Sequence, residues 1–158
     1  MTTREPRSSA RLNARGPLQL AALVVGVVFL VVGIAGFIPG ITFHYDQLSF
    51  AGHHSSAMLL GIFAVSILHN IVHLLFGVAG IVMSRTATAA RLYLIGGGVI
   101  YLILWLYGLV IDHDSAANFV PVNTADNWLH LALGIGMVGL GVALGRPVAG
   151  ARGAAPRG

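Results

Sequence analysis

The sequence contains no cysteine and no lysine, and only 9% of its 158 residues carry a formal charge. Without cysteine there can be no disulfide, no thiol chemistry and no Cys-ligated zinc or iron–sulfur site. A soluble domain devotes about a quarter of its residues to charge. Here 56% of the residues are hydrophobic and the mean hydropathy is +0.84, so an ordinary soluble surface is excluded. The length suits one compact unit rather than two domains. A pI near 10.4 would ordinarily raise nucleic acid as a partner, but the arginines flank apolar runs instead of forming a patch with interleaved aromatics. No nucleophile–base pair, phosphate loop or paired carboxylate stands out, so enzymatic activity is not expected.

What is present is a set of long apolar runs: Leu18–Ile38, Ala57–Met83, Leu92–Ile111 and Trp128–Leu144. About 20 apolar residues cross a hydrocarbon core of about 30 Å at 1.5 Å per residue. The expected fold is therefore an all-α, four-helix transmembrane bundle over residues 18–146. Tails at 1–17 and 147–158, rich in Arg, Ala, Gly, Ser and Pro, are expected to be disordered and cytoplasmic. The second run is long enough to tilt or to project beyond the bilayer. The fourth gains length if Asn123 or Thr124 caps it, with Asp126 favourably placed in its first turn. The first run exceeds the 7–15 residues of a signal-peptide core, and no clear cleavage site follows it, so it reads as a retained helix.

Charge gives the orientation. Arg4, Arg7, Arg11 and Arg15 precede the first run, Arg85 and Arg91 lie between the second and third, and Arg146, Arg152 and Arg157 follow the fourth. Four crossings put all of them on one side, opposite Asp46, Asp112, Asp114 and Asp126. Arginine on the cytoplasmic side places both termini inside, in a multi-pass protein of the cytoplasmic membrane. Trp128, Tyr45 and Tyr93 fall near the expected interfaces.

The second and fourth runs echo one another. HNIVHLLFGVAG from His69 and DNWLHLALGIGMVG from Asp126 share Asn-x-x-His-x-x-x-Gly: Asn70, His73 and Gly77 in one, Asn127, His130 and Gly134 in the other. A weaker echo links GVVFLVVGIAG from Gly26 with GVIYLILWLYG from Gly98. The pattern suggests two repeated helical hairpins about an axis along the membrane normal. On a helix, Ser66, His69, Asn70, His73, Gly77, Gly80 and Ser84 share a face, as do Asn127, His130, Gly134, Gly141 and Gly145, with Met137 and Val138 interrupting. Lipid offers no partner to an amide or imidazole. These stripes are therefore expected to face the interior and each other, with Gly80-x-x-x-Ser84 and Gly141-x-x-x-Gly145 allowing close approach.

Three readings of this polar seam (His69, Asn70, His73, Asn127, His130) stand in order. The leading one is an interhelical hydrogen-bond network in a structural or interaction component of the membrane, which needs no cofactor. Its partners would be the lipid bilayer and a second copy or another membrane protein. The alternative is a redox protein in which His73 and His130 bind haem b, or His69 and His73 a metal ion. His73 lies about 18 Å of helix from Arg85 and His130 about 24 Å from Arg146, a mismatch of about one turn. A third reading is a proton or small-solute pathway, weakened by the lack of any acid within a span. In the outer loops His44, Asp46, His53, His54, Asp112, His113 and Asp114 match no specific metal motif.

Two runs carry a resemblance: LHNIVHLLFGVAG from Leu68 and LYGLVIDHDSAANFVPVNTADNWLHLALGIGM from Leu106. With the four-run layout, they resemble the actinobacterial membrane protein family known as domain of unknown function 4383, over about residues 18–146. Asp112–His130 is the most distinctive stretch. The resemblance implies a small four-helix inner-membrane protein and assigns no catalytic or binding residues.

Overall fold

The structure, a computed structural model, describes residues 15–145. Helices α1 (Pro17–Ala35), α2 (Ile67–Met83), α3 (Ala87–Val110) and α4 (Thr124–Ala143) run up and down. The α1–α2 connection carries three two-residue strands, β1 (Thr42–Phe43), β2 (Met58–Leu59) and β3 (Phe63–Ala64). The fold is all-α, a four-helix bundle with a small antiparallel cap in the order β1-β2-β3. The expected tails lie outside the described residues except at Arg15–Pro17, as do Arg4, Arg7, Arg11, Arg146, Arg152 and Arg157.

Each helix start has a local cause. Pro17 occupies the first turn of α1, where its missing N–H costs nothing. Ser66 caps α2, Thr86 caps α3, and Asn123 forms a reciprocal capping box with Asp126 at α4. The bounds differ from the hydropathy runs. α3 begins at Ala87 rather than Leu92, α4 at Thr124 rather than Trp128, and α1 stops at Ala35.

The largest correction concerns the run from Ala57, which enters a helix only at Ile67. Leu60 and Gly61 take positive φ, 55° and 71°, and turn the chain so that Met58 pairs with Ala64 and Leu59 with Phe63. Apolarity alone does not separate short strands from helix. Here Leu59, Phe63 and Val65 cover the end of α1, packing with Val32, Ala35 and Leu48.

α1 packs chiefly on α2, and α3 on α4. Glycine permits both approaches: a Cβ at Gly26 would lie 2.9 Å from Gly77 O, and one at Gly98 would lie 2.9 Å from Gly134 O. The expected packing of the two stripes on each other is therefore corrected. Gly77 and Gly80 face α1, Gly134 faces α3, and α2 makes almost no direct contact with α4 among the described residues. Gly141 lies against Leu94 and Ile95, and Gly145 against Arg91. The hairpins join through α1 and α3, where Leu18, Ala22, Phe29, Tyr93, Leu94 and Tyr101 form the core.

Both ends of the bundle are tied. At one, Gln19 Nε2 donates to Arg85 O at 2.9 Å. At the other, Gly52 N–H donates to Phe119 O at 2.7 Å, Ala64 N–H to Asp126 Oδ2 at 3.0 Å, and Asn123 Nδ2 to Ile62 O at 2.8 Å. Pro17–Ala35 and Ala87–Val110 are long and apolar enough to cross a membrane.

Candidate functional site

The two hairpins build the same local arrangement twice. Ser66 Oγ accepts from His69 N–H at 3.1 Å, and Asn123 Oδ1 accepts from Asp126 N–H at 3.0 Å. One turn beyond each cap stand Asn70 and Asn127, both buried. The preceding helix leaves room for each amide by carrying glycine: a Cβ at Gly36 would fall on the side chain of Asn70, and one at Gly108 on that of Asn127. Asn127 uses the approach to donate from Nδ2 to Gly108 O at 2.8 Å.

A further turn along are His73 and His130. Phe29 of α1 lies 5.5 Å from the His73 ring, and Tyr101 of α3 lies 5.2 Å from the His130 ring, centroid to centroid. The rings of His69 and His73 stack at 4.5 Å. His69, His73 and His130 border two cavities of about 110 and 130 Å³. Tyr101 borders both as well, while Asn70 and Asp126 border the first. The offset in depth suggested by helical rise does not separate the histidines: His73 and His130 share both cavities.

The polar groups of this region are incompletely paired. His73 Nδ1 meets the carbonyl of His69 at 3.0 Å and must donate to it. A neutral imidazole that donates at Nδ1 accepts at Nε2. His69 Nδ1, Asn70 Nδ2, Asn127 Oδ1 and His130 Nδ1 are buried without a hydrogen-bond partner among the described residues. The His69 ring lies near the backbone oxygens of Pro121 and Ala64, yet its Nδ1 is unpaired. Leaving a buried donor or acceptor unpaired costs about 1–3 kcal/mol, so several in one place need an occupant or a reason.

Asp126 closes the outer end of the first cavity. Its Oδ2 accepts from Ala64 N–H and Asn123 N–H, at 3.0 and 2.9 Å. It precedes the apolar run that starts at Trp128 and belongs to the cap. Burial pushes its carboxyl up to about 6, against the pull of those two backbone bonds and of nearby His113.

The remaining sequence candidates separate. Among the described residues no group of three or more His, Asp or Glu converges to hold a metal ion. In the connections at the capped end, the His53 and His54 rings lie 3.9 Å apart, tilted by 42°, and His113 Nε2 meets Gly108 O at 2.9 Å. Cavities of about 110 and 130 Å³ leave no enclosed space of porphyrin size between His73 and His130.

Residue-type reasoning about the seam missed Phe29, Tyr101, Gly36 and Gly108. A signal was present. Laid over each other, GVVFLVVGIAG and GVIYLILWLYG put Phe29 on Tyr101 and Gly36 on Gly108.

A family model with the description "Domain of unknown function (DUF4383)" matches residues 19–143. No curated protein and no solved structure matches the chain.

Proposed function

Because the chain belongs to the DUF4383 family, whose description names no activity, we propose a function from its own residues: it is a four-span protein of the cytoplasmic membrane, both termini inside, that binds a small molecule in the histidine-lined cavity between its hairpins. The observation that carries the binding role is the convergence of His69, His73 and His130 on the same two cavities, with His130 Nδ1 and His69 Nδ1 buried beside them without a partner among the described residues. Native interiors pair the great majority of such groups, and a seam serving only to hold helices would do the same.

The membrane placement draws on outward faces. Val24, Val28 and Val31 of α1, Leu75 and Val78 of α2, Ile103 of α3 and Ile135 of α4 are large apolar residues exposed on the bundle surface. Four helices presenting such faces suit hydrocarbon. Arg15, Arg85 and Arg91 gather at the end tied by Gln19, while Asp46, Asp112, Asp114 and Asp126 lie at the capped end. By the positive-inside rule the capped end faces outward.

The test uses the full chain in detergent, labelled with nitrogen-15 at histidine, with phenol as the probe. Saturable shifts of the His130 and His69 ring nitrogens, lost in a Leu133→Trp variant that fills the cavity, are expected. Unperturbed histidine signals in a folded wild-type protein would overturn the binding role and leave a packing network.

A further inference from the structure

Resting on the binding role just proposed, we infer that the cavity takes the ring of a neutral quinone or quinol dissolved in the bilayer. Access points to the lipid phase. Val72, Leu104 and Phe119, which line the second cavity, are also 44%, 38% and 57% exposed on the outside of the bundle. In the proposed orientation those side chains face hydrocarbon or its interface, so a molecule reaching them comes from the membrane.

Size and wall chemistry narrow the class. An apolar cavity of about 150 Å³ holds a benzene ring, and cavities of about 110 and 130 Å³ that share His69, His73, Tyr101 and His130 as walls are on the scale of one small ring, not of a larger guest. Flat side chains of Tyr101, His73 and His130 bound the space, and aromatic walls favour a flat guest.

The hydrogen-bonding groups name the substituents. His73 donates its Nδ1 proton to His69 O and so offers an acceptor at Nε2, which suits a ring hydroxyl. His130 and His69 bury Nδ1, which leaves the Nε2 edge of each ring to meet a guest, as donor to a ring carbonyl or acceptor from a hydroxyl. Among the described residues no arginine borders either cavity, so a carboxylate guest finds no counter-charge there. The acid that borders the first cavity, Asp126, is already engaged by two backbone N–H groups. The guest is therefore neutral.

Repetition adds the last constraint. His73 and His130 occupy matching positions in the two hairpins, each against its own aromatic, Phe29 or Tyr101. Imidazoles repeated about a pseudo-two-fold axis match a ring with oxygens at opposite ends. A quinone or quinol has that symmetry, whereas a phenol or an alkyl alcohol has one polar end.

The experiment compares duroquinone with durene, the same methylated ring without oxygens, on the full chain in detergent. Thermal shift and the nitrogen-15 signals of histidine are read. Duroquinone is expected to raise the melting temperature saturably, to perturb His130, which can donate to its carbonyl, and to bind at least about tenfold more tightly than durene, the value of one hydrogen bond. His130→Phe is expected to lower duroquinone affinity about tenfold and leave durene unchanged. If that variant does not fold, Leu133→Trp, which fills the first cavity, is expected to abolish the difference between duroquinone and durene. Equal binding of the two probes overturns the quinone assignment and leaves an apolar pocket. Binding of phenol but of neither durene nor duroquinone also overturns it while sparing the binding role. Failure of all three probes overturns both.

Discussion

Phe29 of α1 and Tyr101 of α3 lie ring on ring, their centroids 5.5 Å apart and their planes inclined by 27°. They occupy the same place in the two echoing segments, three residues after Gly26 and three after Gly98. When equivalent residues of two repeats touch, the axis relating the repeats passes between them. The pseudo-two-fold axis of this bundle therefore runs through the Phe29–Tyr101 stack, and the two histidines flank it. The contacts agree beyond that point: Leu30 meets Gly77 as Leu102 meets Gly134, and Gly36 meets Asn70 as Gly108 meets Asn127.

The glycines in these contacts should not tolerate a methyl group, while those facing outward should. A Cβ at Gly36 or Gly108 lands on a buried asparagine amide. Gly36→Ala and Gly108→Ala are each expected to cost about 1–3 kcal/mol by overpacking, read as a lower melting temperature in detergent. Gly136 and Gly139 have nothing within 4 Å of the added carbon. There alanine is expected to be neutral or to stabilise by up to about 1 kcal/mol through helix propensity. Equal losses at all four positions would contradict the packing described.

Phe29 should matter more than a generic lipid-facing aromatic. It is 3% exposed and touches His73, Phe76 and Tyr101 through their rings. Phe29→Ala is expected to destabilise by about 3–5 kcal/mol, the range for a buried aromatic truncated to alanine. Phe50→Ala, at a position 65% exposed, should change stability little. Thermal melts of the two variants side by side make the comparison.

How much of this was legible follows from what each feature depends on. Four helices were readable because each is an apolar run, and the α4 start was readable because Asn123 and Asp126 carry a local capping chemistry. The α2 start was hidden, since Leu59, Phe63 and Val65 are apolar for the sake of the cap cluster, not of a helix. The meeting of His73 and His130 was obscured by counting helical rise from Arg85 and Arg146. The caps are the better origin: seven residues separate Ser66 from His73 and Asn123 from His130. That α2 seats on α1 depends on glycine-to-glycine pairing between helices, which residue type on one helix does not reveal.

Acidity should act on the cap through Asp126. Its carboxyl is pushed by burial from 3.8 to about 6, so the folded chain takes up a proton that the unfolded chain does not. The contribution of this group to stability therefore rises as pH falls from about 6 toward 4, and is lost as pH rises through 6. The full difference amounts to at most about 3 kcal/mol at 1.36 kcal/mol per unit. Asp126→Asn keeps an oxygen for Ala64 and Asn123 and removes the titration. The wild-type minus variant difference in melting temperature should grow on acidification from pH 7 to pH 4. A difference independent of pH would show that the ionised carboxylate is not disfavoured by its site.

The absence of cysteine makes the orientation directly measurable. Thr88 follows the α2–α3 turn beside Arg85 and Arg91, and Ala116 lies in the α3–α4 connection at the capped end; both are exposed. Thr88→Cys and Ala116→Cys each introduce the only thiol in the chain, so a membrane-impermeant maleimide reports one position at a time. In right-side-out vesicles Ala116→Cys should label at once, and Thr88→Cys only after the membrane is opened. The physical reason is the arginine count: Arg85 and Arg91 would have to cross the bilayer for Thr88 to lie outside, at a cost of about 2.5–3.5 kcal/mol each at the centre of the span. The reverse labelling pattern would invert the topology and move the histidine cavity to the cytoplasmic half. Labelling of both positions in sealed vesicles would argue against α3 crossing the membrane at all, since α3 is the helix that separates them.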